Sequence, residues 1–205
     1  YILEPTAIDS WNDVVNLIRT LQEGMQEGNF DYNIKLCNLC ISALVSGFEI
    51  YCKKRCIELD KEGIEPNVQS MINRVFSKYE REHGIVDIIS KKAEEKQISL
   101  FNEIVQNNIN FQSYDECKRA YSKAYEIKFG ELGLSSEELE FFKKIIKFRH
   151  KIIHVSPLIS IMNQEEVPPK EPIFSGYELL NKSVDVFNKF ITSLHKKTLE
   201  LKASN

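Results

Sequence analysis

Apolar residues recur three and four positions apart along most of the chain, and two-residue alternation is nearly absent. The first such segment begins near Asp9 or Ser10 and ends at the glycines at 24 and 28. The second, over about 33–59, carries apolar residues on more than one face, which indicates a central helix. Further helices are predicted over about 68–82, 86–106, 114–129, 135–154 and 177–201. The pattern therefore predicts an all-α fold, an antiparallel bundle of about six or seven helices.

The second half of the chain contains a clear helix start and a long irregular segment. Ser135 and Glu138 have the spacing of a capping box just before an apolar run, so a helix should begin there and continue to about His154. Residues 156–175 contain four prolines and no periodicity, which predicts a surface loop that serves as a lid or contact segment. The apolar stripe of the last helix packs either on the core or along a dimer seam.

Length and composition favour one ordinary globular unit. A chain of 205 residues can bury a single core, so we expect residues 1–205 to form one domain. The formal charge of -3 excludes a broadly basic surface, and binding to nucleic acid would need a local patch. The uncharged stretch from Leu36 to Phe48 is shorter than the roughly 20 residues of a membrane span, and no leader opens the chain. We therefore expect a cytoplasmic protein that is not bound to a membrane.

Four of the five cysteines have spacings that suggest a zinc site: Cys37, Cys40, Cys52 and Cys56. If they lie on one helix, Cys37 and Cys52 are about 22 Å apart along its axis and cannot bind the same ion. An odd number of cysteines also fits free thiols better than a disulfide framework. The sequence therefore predicts neither a bound metal nor another cofactor.

The helix over 136–154 has an arginine inside its apolar stripe. On a helical wheel Arg149 falls in the middle of the stripe formed by Phe141, Phe142, Ile145, Ile146, Phe148, Ile152 and Ile153. A guanidinium there is costly unless it meets a carboxylate, a ligand or another subunit. Glu49 lies on the most apolar helix, and we expect its carboxylate within salt-bridge reach of Arg149. This pairing and a functional role for Arg149 are compatible.

The opposite face of this helix is cationic. It presents Lys143, Lys147, His150, Lys151 and His154, with no acidic residue between Glu140 and Glu165. Such faces are most often only solvated, but they also bind phosphates. His150 and His154 are four residues apart, hence neighbours, and histidine exchanges a proton near neutral pH. The face thus combines groups that bind phosphate with groups that transfer protons.

The segment Arg149-His150-Lys151-Ile152-Ile153-His154 resembles the motif of the HEPN superfamily. That motif is an Arg, often followed by a polar residue, then three residues and a His near the end of a helix. The resemblance implies an all-α, HEPN-like bundle over most of the chain. Catalytic members of this superfamily are metal-independent endoribonucleases that act as homodimers, so the resemblance implies RNA as substrate.

The resemblance also implies a role for each matched residue. His154 would be the general base that activates an RNA 2′-OH, which attacks the adjacent phosphate and leaves a 2′,3′-cyclic phosphate. Arg149 would stabilise the pentavalent phosphorane, and His150 would orient the site or protonate the leaving 5′-oxygen. Lys143, Lys147 and Lys151 would bind the substrate.

Two other interpretations stay open at this point. The first is a non-catalytic HEPN-like module that binds nucleotide, RNA or protein, and the second is a helical interaction domain whose histidines are ordinary surface residues. Residues five apart on an ideal helix point about 140° away from each other. Arg149 and His154 therefore share a site only if the helix frays or bends before Pro157, or if Arg149 reaches around it.

Overall fold

The computed structural model of the chain describes residues 4–155 and 176–202. Within these ranges every regular element is helical and none is a strand, which confirms the all-α prediction. The predicted loop at 156–175 lies outside the described residues. The α-helices are α1 (Ala7–Gln22), α2 (Phe30–Lys61), α3 (Val68–Val75), α4 (Lys78–Glu82), α5 (Ile85–Glu95), α6 (Leu100–Asn107), α7 (Tyr114–Tyr125), α8 (Ser136–His154) and α9 (Tyr177–Leu199).

The described residues form more helices than predicted because two of the predicted segments are split. The segment over 68–82 breaks at Phe76, which is extended, and Ser77 then caps α4 through a capping box with Glu80. The segment over 86–106 breaks at Gln97, whose φ is +55°, and Ser99 caps α6. A serine whose side chain accepts a backbone hydrogen bond stabilises the start of a new helix. The apolar periodicity alone does not reveal such a start.

Helix α1 begins at Ala7, two or three residues before the predicted start. The Ala7 backbone N–H donates to Oε1 of Glu58 at 2.6 Å, so a carboxylate far away in sequence satisfies a donor of the first turn. Two leucines that belong to the apolar periodicity of their helices are exposed: Leu17 on α1 at 53% and Leu39 on α2 at 61%. The spacing of apolar residues therefore predicts a wider buried face for α1 and α2 than the structure shows.

The contacts divide the chain into two compact units. One consists of residues 1–8, 49–133 and 192–205, and the other of residues 9–48 and 134–191. Helices α2 and α9 each contribute residues to both units. A single domain over residues 1–205 stays a prediction.

The unit that contains α3–α7 is held by buried tyrosines and a buried arginine. Tyr121 donates its hydroxyl hydrogen to the Cys52 carbonyl at 2.9 Å, which joins α7 to α2. Arg55 is buried, donates to Thr198 Oγ1 at 2.9 Å, and forms a short two-point ion pair with Glu62. A buried guanidinium is tolerated because its donors are satisfied.

The unit that contains α8 is built around stacked phenylalanines. The Phe142 ring stacks on Phe187 at 4.1 Å and on Phe190 at 4.6 Å between ring centroids, and meets the edge of Phe48 at 5.2 Å. All four side chains are buried. Helices α8, α9 and the first part of α2 therefore share an aromatic core, which fixes the helix that carries the motif.

Helix α2 is long and apolar enough, by length and composition, to cross a membrane. Its most apolar window of 18 residues has a mean hydropathy of 1.4, and 56% of that window is buried inside the structure. A buried core helix meets the same criteria, so this property is weak evidence for a membrane span.

Replacing Phe142 with Ala should lower the free energy of unfolding by about 3–5 kcal/mol, because the truncation empties the centre of the aromatic core. Leu39→Ala, a truncation at an exposed position, should change it by less than about 0.5 kcal/mol. Urea denaturation followed by circular dichroism measures both values. A loss at Phe142 no larger than that at Leu39 would contradict this description of the core.

Candidate functional site

Helix α8 starts at the predicted capping box. Ser135 Oγ accepts from the Glu138 N–H at 3.1 Å, and a Glu138 carboxylate oxygen accepts from the Ser135 N–H at 2.7 Å. Both Glu138 oxygens also accept from Lys189 Nζ of α9 at 2.8 Å. The bond from Lys189, followed by that from Ser135, lowers the pKa of the Glu138 carboxyl. The first turn is thus held by its own cap and by a charged bond to α9.

The apolar face predicted for α8 is buried over most of its length. Its buried residues are Phe142, Ile145, Ile146, Phe148 and Ile152. The prediction was wrong for Ile153, which is 52% exposed, and the following Val155 is 71% exposed. Packing of the apolar face therefore ends at Ile152, and the residues of α8 that follow it are exposed.

His150 and His154 lie side by side on this exposed last turn. Their ring centroids are 4.2 Å apart, with the ring planes inclined at 46°. Both residues are exposed. The spacing of four residues on a regular helix is enough to bring the two rings together. The sequence prediction that these two residues are neighbours on one face is confirmed.

Two of the three predicted substrate-binding lysines are open to solvent. Lys147 and Lys151 are exposed and form no ion pair within the described ranges. Lys143 Nζ instead donates to the Glu140 carboxylate at 2.8 Å, and this bond lowers the pKa of that carboxyl. The uncompensated positive charge is therefore concentrated next to the two histidines, in the C-terminal half of α8.

Arg149 is half-buried, and its Nε atom is shielded from solvent. Helix α8 is α-helical through His154, and residues 156–157, to which the expected fraying also applies, lie outside the described residues. On a regular helix Arg149 and His154 then point about 140° away from each other. A site that contains both groups needs a guanidinium that curls around the helix, or a second copy of the motif.

Glu49 lies on α2 and is half-buried, with its Oε1 atom shielded from solvent. It belongs to the unit that contains α3–α7, whereas Arg149 belongs to the unit that contains α8. The salt bridge between Glu49 and Arg149 stays a prediction.

The cysteines do not add to the site. All five are buried free thiols, and burial raises the pKa of Cys37 and of Cys56 to about 12. A neutral buried thiol is a poor nucleophile and a poor metal ligand. Among the described residues, no group of three or more His, Cys, Asp or Glu side chains is placed to hold a metal ion.

The sequence interpretation missed a lysine-lined cleft in the unit that contains α3–α7. It is a cleft of about 520 Å³ whose lining includes Lys53, Lys54 and Lys61 of α2. Lys53 Nζ donates to the Gln106 carbonyl at 3.0 Å, a neutral partner that leaves its charge uncompensated. These lysines are one, seven and eight residues apart on a helix, which places them within about 100° of each other, so a helical wheel of α2 would have shown the stripe.

Comparison with models of protein families, with curated proteins and with solved structures gave no match to this chain.

Replacing Ser135 with Ala should lower the free energy of unfolding by about 1 kcal/mol, because the cap of α8 is lost while no apolar contact changes. Ser136→Ala, one residue further on and equally exposed, removes no cap and should have almost no effect. Chemical denaturation of the two variants gives the comparison. Equal values for the two would show that the capping box does not stabilise the start of α8.

Proposed function

We propose that this protein is a metal-independent endoribonuclease of the HEPN type. The observation that carries the proposal is the pair of exposed imidazoles at the end of α8, 4.2 Å apart and flanked by Lys147 and Lys151. Two histidines at one point can act as base and acid on the same phosphodiester. Exposed lysines beside them attract the phosphates of an RNA strand.

The proposed reaction uses the side chains of this motif and the RNA itself. His154 takes the proton of a 2′-OH, and the 2′-oxygen forms a bond to the adjacent phosphorus. The bond from phosphorus to the 5′-oxygen breaks, His150 supplies a proton to that oxygen, and a 2′,3′-cyclic phosphate remains. DNA lacks the 2′-OH and is not cleaved. Positioning the two imidazoles on one helix turn accounts for much of the rate enhancement.

Arg149 stabilises the negative charge that develops on the phosphorane. An arginine guanidinium carries a permanent positive charge and presents a planar set of donors. Such donors stabilise a transition state most when they are partly shielded from water, and the Nε atom of Arg149 is buried.

We also propose that the active form is a homodimer. Arg149 and His154 lie on different sides of a regular α8, so one copy does not present both towards one phosphate unless Arg149 curls around the helix. A two-fold axis near the end of α8 would bring Arg149 of one copy towards His154 of the other. The exposed apolar side chains of Ile153 and Val155, next to the motif, suit such an interface.

A second candidate function is a module that binds nucleotide or RNA without cleaving it. The cleft lined by Lys53, Lys54 and Lys61 favours this function, because lysines around a concavity suit a phosphorylated ligand. These three lysines outnumber the two acidic residues of the lining, Glu4 and Glu58. The two candidates predict different results when the protein is incubated with RNA.

The purified protein should cleave labelled single-stranded RNA in the presence of EDTA, and should leave the DNA of the same sequence intact. His154→Ala should reduce the rate by at least about 100-fold, since general base catalysis commonly contributes that much. His83→Gln changes another exposed histidine, which follows the C-terminal end of α4, and should cleave at the wild-type rate. Gel electrophoresis of the products measures all three rates.

RNA binding without cleavage would reject the ribonuclease and favour the binding module. Cleavage that EDTA abolishes would also reject the proposal, because the mechanism uses side chains only. If the His154→Ala variant cleaves RNA at the wild-type rate, His154 is not the general base.

Light scattering at micromolar concentration should show a dimer, and Ile153→Glu should shift it towards monomer by placing a charge in the apolar contact. Ile88→Glu changes a side chain on α5 that is equally exposed, at 51% against 52%, and should leave the dimer intact. A wild-type protein that is strictly monomeric would contradict the composite site.

A further inference from the structure

We propose that His150 and His154 form a binding site for a divalent transition-metal ion such as Zn²⁺, and that the bound ion inhibits the protein. The binding site follows from the geometry of the two rings alone. The inhibition rests on the proposed ribonuclease function, since it concerns the same two imidazoles.

The spacing of the rings fits chelation. Zn²⁺ binds imidazole nitrogen at about 2.0–2.1 Å, so two nitrogens on one tetrahedral ion lie about 3.3 Å from each other. Ring centroids 4.2 Å apart, with planes inclined at 46°, reach that separation through small side-chain rotations. Both side chains are exposed, so these rotations are unobstructed by the described residues and an ion enters directly from solvent. The backbone of α8 does not need to move.

The residues around the two histidines indicate that a bound ion would exchange readily with solvent. The site has two protein ligands, and no third His, Cys, Asp or Glu in the described residues completes it. Water, or a phosphate oxygen of RNA, would fill the remaining positions on the ion. Lys147 and Lys151 repel the cation, although solvent and salt screen that repulsion at an exposed helix end. The ion is therefore an inhibitor that a chelator removes.

The chemistry of the ligands determines which ions bind. Imidazole suits Zn²⁺, Ni²⁺ and Cu²⁺, and affinity at such a site increases from Co²⁺ through Ni²⁺ to Cu²⁺. Mg²⁺ prefers oxygen ligands and keeps its own water shell. The pair should thus distinguish Zn²⁺ from Mg²⁺, which separates it from a general attraction of divalent ions.

A metal ion on these rings blocks the proposed reaction at its first step. The lone pair with which His154 accepts the 2′-OH proton is the one that coordinates the ion, so the two uses exclude each other. The same holds for His150 as the proton donor. EDTA should therefore raise the cleavage rate of protein that has been exposed to Zn²⁺, the opposite of its effect on a metal-dependent nuclease.

Isothermal titration calorimetry with ZnCl₂ and no RNA tests the site independently of catalysis. One Zn²⁺ should bind per chain, and MgCl₂ should give no heat of binding. His150→Gln and His154→Gln should each weaken Zn²⁺ by at least about tenfold, because losing one of two linked ligands removes the chelate effect. His83→Gln should bind like the wild type. Circular dichroism spectra that match the wild type show that the variants are folded.

The proposal would be overturned if neither His150→Gln nor His154→Gln changed the Zn²⁺ affinity. It would also be overturned if His83→Gln lowered that affinity by the same factor. Absence of any Zn²⁺ binding would overturn it as well. If Zn²⁺ binds as expected and inhibits cleavage until EDTA is added, both the site and its inhibitory role are supported. If Zn²⁺ binds as expected but no RNA is cleaved under any condition, the metal site stands and the ribonuclease proposal fails.

Discussion

The packing of Phe142 against Phe187 and Phe190 is the interaction on which the rest of the candidate site depends. It holds the N-terminal half of α8 against α9, where the bond between Lys189 and Glu138 adds a second attachment. Burial of the apolar face continues to Ile152 and then stops. One end of the helix is therefore anchored, and the other presents its side chains to solvent in a fixed direction. A rigid helix positions functional groups more precisely than a loop of the same length.

The regular geometry of α8 brings two residues of the candidate site together and separates a third from them. It places His150 and His154 next to each other on the same face. It also places Arg149 on the side that faces the protein, away from His154. A monomeric enzyme would have to bend the helix or extend the guanidinium around it. The proposed two-fold dimer would solve the same problem by joining the arginine of one copy to the histidine of another.

Most of the fold class and much of α8 could be predicted from the sequence because both depend on local patterns. The Ser135 cap, the end of the helix at His154 and the adjacency of the two histidines follow from spacing within one helix. The early start of α1 could not be predicted, since its first donor is satisfied by Glu58, 51 residues away. The exposure of Ile153 was missed for a related reason: helical periodicity shows which residues share a face, but not where the partner of that face ends.

Mixing two inactive variants tests the composite site most directly. Arg149→Gln and His154→Ala are each expected to be inactive, and co-expression should form mixed dimers that carry one of each. If the arginine of one copy acts with the histidine of the other, one of the two sites in a mixed dimer is intact, and the mixture recovers roughly a quarter of the wild-type rate. The account predicts this recovery of RNA cleavage. Mixed dimers that are demonstrated by native mass spectrometry but remain inactive would contradict it.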